Sequence, residues 1–402
     1  MKFAHLSDCH IGGWREPKLR ELGLETLKKV IEKCIEENVA FLLIAGDLFD
    51  TALPQTELIK ETAQILKLLQ EHDIPVYSIP GSHDFSPSGK TMIDVLEKAG
   101  LLINVVKFDE NNKLKFTVDK TNIKITGLYG KRLGLEKFDY ERLEKEHLEK
   151  EPGFKIFMFH TALEEFKPAE MEKMEAYSYK DLPKNFNYYA GGHVHYIFSI
   201  EKPNYGLITF PGPVFPNNFK ELEELECGGF YIIDIENNNL KLRHIKIKLK
   251  EVLALKINVN NLGSYEAEDL IINQIKSHNI KGKILLLRIF GTLETGKPTN
   301  INFKRILNAA NEAFLVLKNT HRLSSKETES IEYEKYNSIN EIEHDIISKN
   351  LGKFKFNIDE KEKEIQFIKE IMNLLDKEKN EGEKSMDFEK RILKDTEKIL
   401  EN

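Results

Sequence analysis

Residues 1–250 alternate short apolar runs with segments of helical periodicity, and this alternation restricts the region to a layered α/β fold. The runs Phe41–Ala45 and Val76–Ile79 have the pattern of strands that are buried on both faces. Leu19–Glu37 and Leu58–Gln70 carry apolar residues at helical spacing before each of these runs. We therefore predict an α/β domain over residues 1–250.

The pattern changes near residue 250. Val252–Val259 alternates apolar and polar residues, which predicts a half-buried strand. Helical and strand patterns then follow in turn, as in Tyr265–Ser277 and Lys283–Phe290. We predict a small second domain of α+β type over residues 251–320.

The last part of the chain, residues 321–402, is richer in charged residues than the chain as a whole. Within it, an amphipathic helix is predicted by apolar residues at helical spacing, namely Ile365, Ile368, Ile371, Met372 and Leu375. Two interpretations remain open at this point. The helix either packs on its own domain or is a docking segment for the helices of another chain.

Charge and cysteine content narrow the functional classes. The net charge of −7 excludes a generally basic nucleic-acid coat protein, although it leaves room for a local basic groove. Three cysteines (Cys9, Cys34 and Cys227) give no disulfide framework and favour a reducing, cytoplasmic environment. No signal peptide and no apolar run near the ~18–20 residues of a membrane span is recognisable, so we expect no membrane association.

Five short segments place aspartate and histidine at the ends of predicted strands. Each pattern alone is more typical of a surface turn or a core histidine, but five of them in one domain indicate a ligand site at the carboxyl edge of the sheets. In chain order the segments are Asp8-Cys9-His10, Gly46-Asp47-Leu48-Phe49-Asp50, Gly81-Ser82-His83-Asp84, His160, and Gly191-Gly192-His193-Val194-His195.

These residue types indicate a dinuclear metal site. Two divalent ions about 3.5–4 Å apart require a bridging carboxylate and several neutral imidazoles. Mixed aspartate and histidine ligands suit Mn, Fe or Zn better than Mg or Ca, which prefer oxygen ligands. Such a pair of ions binds a phosphate and lowers the pKa of a water molecule, so we expect a hydrolase acting on phosphate esters.

The five segments resemble the signature of the calcineurin-type metallophosphoesterases in order and spacing over residues 1–235. Within that superfamily, the chain is similar to the SbcD or Mre-eleven type of DNA double-strand-break repair nuclease. The opening segment Ala4–Gly12, the turn Phe210-Pro211-Gly212-Pro213 and the segment Leu287–Thr292 carry this closer resemblance. It implies a four-layer α/β/β/α sandwich, a small DNA-capping domain and a helical C-terminal tail.

The resemblance also implies residue roles. One metal ion would be held by Asp8, His10, Asp47 and His195, and the second by Asp47, the residue at position 82, His160 and His193. His83 would be the catalytic histidine beside the leaving oxygen, and Asp50 would orient it. The family further implies two divalent ions, with Mn expected and Fe or Zn as alternatives, a DNA substrate, a homodimer and a coiled-coil ATPase of the SbcC type as partner.

Ser82 departs from the family pattern, which has asparagine at this position. A serine hydroxyl is a shorter and poorer ligand than an amide oxygen, so either water fills the gap or the second ion binds weakly. The first outcome leaves an active enzyme with altered metal affinity. The second leaves a weakly active DNA-end-tethering scaffold.

Because the chain is acidic overall, local basic residues must contact a DNA backbone. Lys131 and Arg132, in a loop after the predicted strand Ile123–Gly127, are our candidates. One further alternative is a small-molecule or nucleotide phosphodiesterase of the same superfamily. The second domain and the charged tail argue against it, because such an enzyme needs neither.

Overall fold

The computed structural model describes most of the first 326 residues and parts of the remainder. The described residues are 1–86, 91–131, 134–168, 174–237, 239–326, 343–344, 346–348, 351, 360–377 and 385–401.

Two six-stranded mixed sheets form the frame of the chain from Met1 to Ile247. The strands are β1 (Lys2–Leu6), β2 (Leu42–Ala45), β3 (Val76–Ile79), β4 (Ile103–Asn104), β5 (Thr117–Val118), β6 (Lys124–Gly127), β7 (Lys155–His160), β8 (Tyr188–Gly192), β9 (Ile197–Lys202), β10 (Gly206–Pro211), β11 (Gly228–Glu236) and β12 (Asn239–Ile247). The first sheet has the order β12-β11-β1-β2-β3-β4, and the second has the order β5-β6-β7-β8-β10-β9.

The second sheet has a parallel centre and two antiparallel edges, whereas the first is antiparallel only on the side of β11 and β12. Strands β1 to β4 run parallel to one another, as do β6, β7, β8 and β10. Parallel neighbours require crossover connections, which helices supply. The helices of this region are α1 (Pro17–Glu36), α2 (Thr56–Glu71), α3 (Met92–Lys98), α4 (Lys137–Arg142), α5 (Glu146–Lys150) and α6 (Phe219–Leu225), with 3₁₀ turns at Glu164–Phe166 and Tyr179–Asp181.

Strand β2 shows why the sheets stack. Its alternate residues point to opposite faces, so Leu42 and Ile44 pack with α1 and α2 while Leu43 packs against the second sheet. All four residues of β2 are buried, as the continuous apolar run predicted. A third cluster, which includes Tyr140 of α4 and Leu148 of α5, covers the outer face of the second sheet. The predicted four-layer α/β/β/α sandwich is therefore confirmed.

A third sheet follows the sandwich. Its strands β13 (Val252–Asn258), β14 (Ile284–Leu293) and β15 (Leu315–Asn319) run parallel, and β16 (Leu323–Ser325) is short. Helices α7 (Ser264–Lys276) and α8 (Phe303–Ala309) and the 3₁₀ turn Pro298–Asn300 connect the strands. Met1–Leu293 and Pro298–Leu323 together form one compact unit. The predicted domain limits at residues 250 and 320 stay predictions.

A second compact unit comprises Glu294–Lys297 and Ser324–Asn402. Its long helices are α9 (Lys361–Leu375) and α10 (Ser385–Glu401), so the helical tail predicted for this region is present. Of the predicted apolar stripe on α9, Ile365, Ile368 and Ile371 lie half-buried. Met372 and Leu375 are exposed. Among the described residues, no helix has the length and apolar character needed to cross a membrane.

Candidate metal centre

The loops that follow five parallel strands meet at one edge of the two sheets. Strands β1, β2 and β3 end there in the first sheet, and β7 and β8 end there in the second. Carboxyl ends of parallel strands lie on the same edge, so the aspartates and histidines after them converge. Three clusters of ligand atoms within 4.8 Å of one another result, namely Asp8-His10-His195, His10-Asp50-His83 and Asp47-His160-His193.

Four residues of this centre have left-handed backbone conformations. The φ angles are 53° for Asp8, 42° for His10, 52° for Asp47 and 86° for His193. Residues with a Cβ rarely adopt such angles, which cost on the order of 1–2 kcal/mol each, and aspartate tolerates them better than histidine. Strain of this kind persists only where the surrounding fold imposes it, and it aims these four side chains into one space.

Two glycines leave room for that arrangement. A Cβ on Gly46, which has a φ of 86°, would lie 2.2 Å from Nδ1 of His160. A Cβ on Gly81 would lie 2.2 Å from Oδ1 of Asp47. Any side chain at either position would therefore displace a candidate ligand.

The first candidate metal position lies between His10 and His195. Nδ1 of His10 is 3.2 Å from the carboxylate of Asp50, and Nδ1 of His195 is 2.8 Å from the carboxylate of Glu221. Because a carboxylate accepts hydrogen bonds, both Nδ1 atoms carry the proton, and each neutral ring has its lone pair on Nε2. The two Nε2 atoms face each other at 3.1 Å. Oδ1 of Asp8 is 3.7 Å from Nε2 of His195.

When both rings are neutral, two lone pairs that face each other at this distance repel unless a cation, either a proton shared between the rings or a metal ion, lies between or beside them. The arrangement therefore fits a metal ion bound by both imidazoles, with ring orientation fixed by the carboxylates behind them. Asp47 is close to the same place, since its Oδ2 atom is 3.7 Å from Nε2 of His10.

The second candidate position lies on the other side of Asp47. Nδ1 of His160 donates to the backbone carbonyl of Ala45 at 2.8 Å, so its neutral ring also has the lone pair on Nε2. That Nε2 atom is buried 3.1 Å from Oδ2 of Asp47 and forms no hydrogen bond within the part of the chain that the structure describes. The ring of His193 lies 5.2 Å from that of His160. A buried ring nitrogen aimed at a carboxylate in this way fits a second ion, with Asp47 between the two.

The electrostatics of the centre favour positive charge. Burial alone would lower the pKa of His160, but the charge of Asp47 raises it to about 10. Burial also disfavours the protonated form of His195, but the hydrogen bond to Glu221 and the charge of Asp8 raise its pKa to about 9. His193 differs, because burial and the neighbouring His160 lower its pKa to about 3. Carboxylates that stabilise imidazolium ions in this way also stabilise divalent cations.

Ser82 lies in the centre as predicted. It is 7% exposed, and its hydroxyl oxygen is 3.4 Å from Oδ2 of Asp47. The hydroxyl therefore faces the carboxylate that separates the two candidate positions. Its short side chain ends close to the second position without the amide oxygen that the family pattern has there.

His83 lies at the open side of the centre, with 42% of its side chain exposed. We predicted that Asp50 orients this ring through its carboxylate, and the structure gives that role to another atom. Nδ1 of His83 donates to the backbone carbonyl of Asp50 at 2.7 Å, whereas the carboxylate oxygen is 3.6 Å away. The carboxylate is instead turned toward Nδ1 of His10, where the amide of Asn217 also donates to it at 3.5 Å.

Lys131 lies beside His83 at the rim of a cavity of about 520 Å³ that Ser82 and His193 also line. Its ammonium group forms an ion pair with Asp139 at 2.7 Å and lies 5.1 Å from the ring of Tyr129. The second predicted DNA contact, Arg132, lies outside the described residues.

Two residues of the centre had no role predicted from the sequence: Asp84, which was named only as part of the segment Gly81-Ser82-His83-Asp84, and Glu221, which was not named. Asp84 is buried, and its carboxylate accepts from the backbone N–H groups of Leu48, Phe49 and Gly81 at 3.0–3.1 Å, which joins two metal-site loops. Burial and the charge of Asp47 raise its pKa to about 6. Glu221 was missed because it follows no strand. Its one sequence signal is the helix-start pattern of Asn218 followed three residues later by glutamate.

Comparison with known proteins agrees with this geometry. The family model for the calcineurin-like phosphoesterases matches residues 1–196, a range that contains all eight residues predicted to bind metal or to act beside it, from Asp8 to His195, together with Asp50. The match ends before the third sheet.

Curated relatives cover more of the chain. It is 26% identical to the DNA double-strand break repair protein Mre11 of Archaeoglobus fulgidus in an alignment of 345 positions, which covers 78% of this chain and 76% of the relative. It is 27% identical to the protein of the same name from Sulfolobus acidocaldarius, with 79% and 82% of the two chains covered. The Methanocaldococcus jannaschii protein of that name is also 27% identical, with 71% and 81% covered. Residues 1–196 therefore match the calcineurin-like phosphoesterase family, and over most of its length the chain is similar to relatives named DNA double-strand break repair protein Mre11.

Proposed function

We propose that this protein is a metal-dependent DNA nuclease that hydrolyses phosphodiester bonds during the repair of double-strand breaks. The observation that carries the proposal is the meeting of Nε2 of His10 and Nε2 of His195 at 3.1 Å, with both Nδ1 atoms held by carboxylates. The name shared by the curated relatives supports DNA breaks as the substrate.

The proposed ligands follow the two positions on either side of Asp47. The first ion would be held by Asp8, His10, Asp47 and His195, and the second by Asp47, Ser82, His160 and His193. Mn is the metal that we propose, with Fe or Zn as alternatives. When bound, such a pair of ions neutralises phosphate charge and activates water for attack at neutral pH.

His83 is the proposed catalytic residue. The backbone carbonyl of Asp50 fixes the proton on its Nδ1 atom, so Nε2 is the atom left to face the substrate. When the ring is protonated, Nε2–H can donate a hydrogen bond and then a proton to the leaving oxygen. Its exposure beside the 520 Å³ cavity gives a phosphodiester access to that atom.

We further propose that Lys131 and Arg132 contact the DNA backbone. Lys131 lies at the cavity rim, where a phosphate would compete with Asp139 for its ammonium group. Replacing both residues with alanine should flatten the dependence of DNA binding on salt, because fewer counterions would be released. An unchanged slope would remove both residues from the interface.

The nuclease proposal is tested with Mn²⁺ and linear duplex DNA. We expect Mn-dependent cleavage by the wild-type protein and a loss of about 10²–10⁴-fold in His83→Ala, the range for a missing general acid. His72→Ala is the matched control, since that histidine caps α2 and bonds to the carbonyl of Leu68. Faster turnover of a nucleotide ester than of DNA would instead support a small-molecule phosphodiesterase. Intact metal binding with no cleavage of either substrate would support a scaffold.

The proposed partners are DNA, a second copy of the chain and an ATPase of the SbcC type, in the cytoplasm. The tail supplies exposed apolar side chains for the ATPase, with Met372 42%, Leu375 66% and Leu393 65% exposed. For the dimer, the proposed contact surface is on α2. There Leu66 and Leu69 are buried in the core of the first sheet, so only the half-buried Leu58 and its neighbours remain for such a contact.

A further inference from the structure

Helix α6 has side chains that contact both the candidate metal centre and the third sheet. Glu221 and Glu223 are two positions apart, so they are separated by about 200° around the helix axis and point to nearly opposite sides. Glu221 accepts the hydrogen bond from His195, while Glu223 binds Arg288 of β14. All of these residues belong to the same compact unit.

The contact of α6 with β14 is a bidentate ion pair between Glu223 and Arg288. Nε of Arg288 donates to both carboxylate oxygens of Glu223 at 2.9 and 3.1 Å, and Nη2 donates to one of them at 2.8 Å. The guanidinium also lies 5.0 Å from the ring of Phe219, one turn earlier on α6. Leu222, which is fully buried, packs in the same apolar cluster as Ile284 of β14. Because the planar guanidinium donates from two nitrogens, this ion pair fixes the orientation of α6 relative to β14 as well as the distance between them.

The contact with the metal centre is equally specific. One carboxylate oxygen of Glu221 accepts from His195 at 2.8 Å, and the other accepts from the backbone N–H of Asn217 at 2.8 Å. The side chain of Asn217 donates to the carboxylate of Asp50, which in turn accepts from Nδ1 of His10. Residues at the start of α6 therefore supply or contact both carboxylates that accept hydrogen bonds from His10 and His195.

We propose that Arg288 and Glu223 are positioning residues for metal binding. Their ion pair fixes α6 on the third sheet, which holds the carboxylate of Glu221 where it orients His195 toward the first metal position. The inference rests on the ligand role proposed for His195. Carboxylates behind ligating histidines typically change metal affinity by about 10–100-fold, so a displacement of Glu221 is measurable as weaker binding.

Calorimetric titration of the full-length protein with Mn²⁺ tests the inference. The double change Arg288→Met with Glu223→Met removes the pair without leaving a buried charge, and we expect it to weaken the tighter site about tenfold. Glu221→Gln should weaken the same site by at least as much, and adding the double change to it should have little further effect. The control is Arg305→Met with Glu268→Met, because that ion pair of 2.8 Å joins α7 and α8. It should bind Mn²⁺ like the wild type.

A milder variant distinguishes an effect on metal binding from misfolding of the protein. Arg288→Lys keeps the charge but loses the bidentate contact of the planar guanidinium. Its affinity for Mn²⁺ should therefore lie between those of the wild type and the double variant. Wild-type affinity in the double variant, or an undiminished further loss on top of Glu221→Gln, would overturn the inference. A wild-type protein that takes up no Mn²⁺ would instead refute the proposed function, so the two failures are distinguishable.

Discussion

Four residues of the candidate metal centre are held in left-handed backbone conformations, which residues with a Cβ adopt rarely. The left-handed φ angles of Asp8, His10, Asp47 and His193 belong to four residues that we propose as ligands. The fold therefore gives up stability at these four positions, as strained functional sites commonly do.

This strain can be measured at His193, where φ is 86°. We expect His193→Gly to be more stable than His193→Ala by about 1 kcal/mol, because only alanine must place a Cβ in the left-handed region. Both variants lose the same imidazole, so its contacts cancel in the comparison. Urea unfolding in the presence of a chelator gives the difference, and equal stabilities would show that this backbone is unstrained.

The second residue-scale prediction concerns Ser82. An asparagine there can present an amide oxygen to the second position, so Ser82→Asn should bind the second Mn²⁺ at least as tightly as the wild type. An increase in Mn²⁺ affinity of up to about tenfold corresponds to about 1.4 kcal/mol of binding free energy. Calorimetric titration with Mn²⁺ compares the two proteins, and loss of the second site in the variant would refute the prediction.

Residue types at strand ends could be predicted from the sequence because chemistry and topology constrain them together. Asp8, His10, Asp47, His160 and the two later histidines follow buried strands, and parallel strands bring their ends to one edge. Glu221 could not be predicted, because its place depends on how α6 packs. The choice of the Asp50 carbonyl over its carboxylate as the partner of His83 depends on a rotamer, which periodicity does not determine.

At the scale of elements, the two sheets enclose an ionisable group. His5 of β1 is fully buried between them, where Nδ1 is 2.9 Å from the hydroxyl of Tyr188 on β8 and 3.3 Å from that of Thr209 on β10. Burial lowers the pKa of His5 to about 3. The packing of the sheets thus depends on this imidazole staying neutral.

A pH dependence of stability follows from that burial. The unfolded chain protonates His5 below about pH 6.5 and the folded chain does not, so the folded state loses stability as the pH falls from 6.5 toward 3. The slope from this residue is at most about 1.4 kcal/mol per pH unit. His5→Gln should therefore show a shallower acid-side decline than the wild type. Urea unfolding with a chelator between pH 7 and pH 5 measures both slopes, and parallel declines would contradict the account.

At the scale of the whole molecule, the chain has two compact units. The ligand residues all lie in the first, and helices α9 and α10 lie in the second. Deleting residues 361–402 should therefore abolish co-elution with an SbcC-type ATPase while Mn-dependent cleavage of DNA stays within about twofold of the wild type. Gel filtration of the mixed proteins and the nuclease assay test both halves. Retained co-elution would place the ATPase contact elsewhere.

The proposed dinuclear centre requires two cations that share Asp47. Anomalous diffraction from crystals soaked in Mn²⁺ tests this most directly. We predict two peaks about 3.5–4 Å apart, one beside His10 and His195 and the other beside His160 and His193, with the carboxylate of Asp47 between them. A single peak away from Asp47, or none among these histidines, would contradict the assignment.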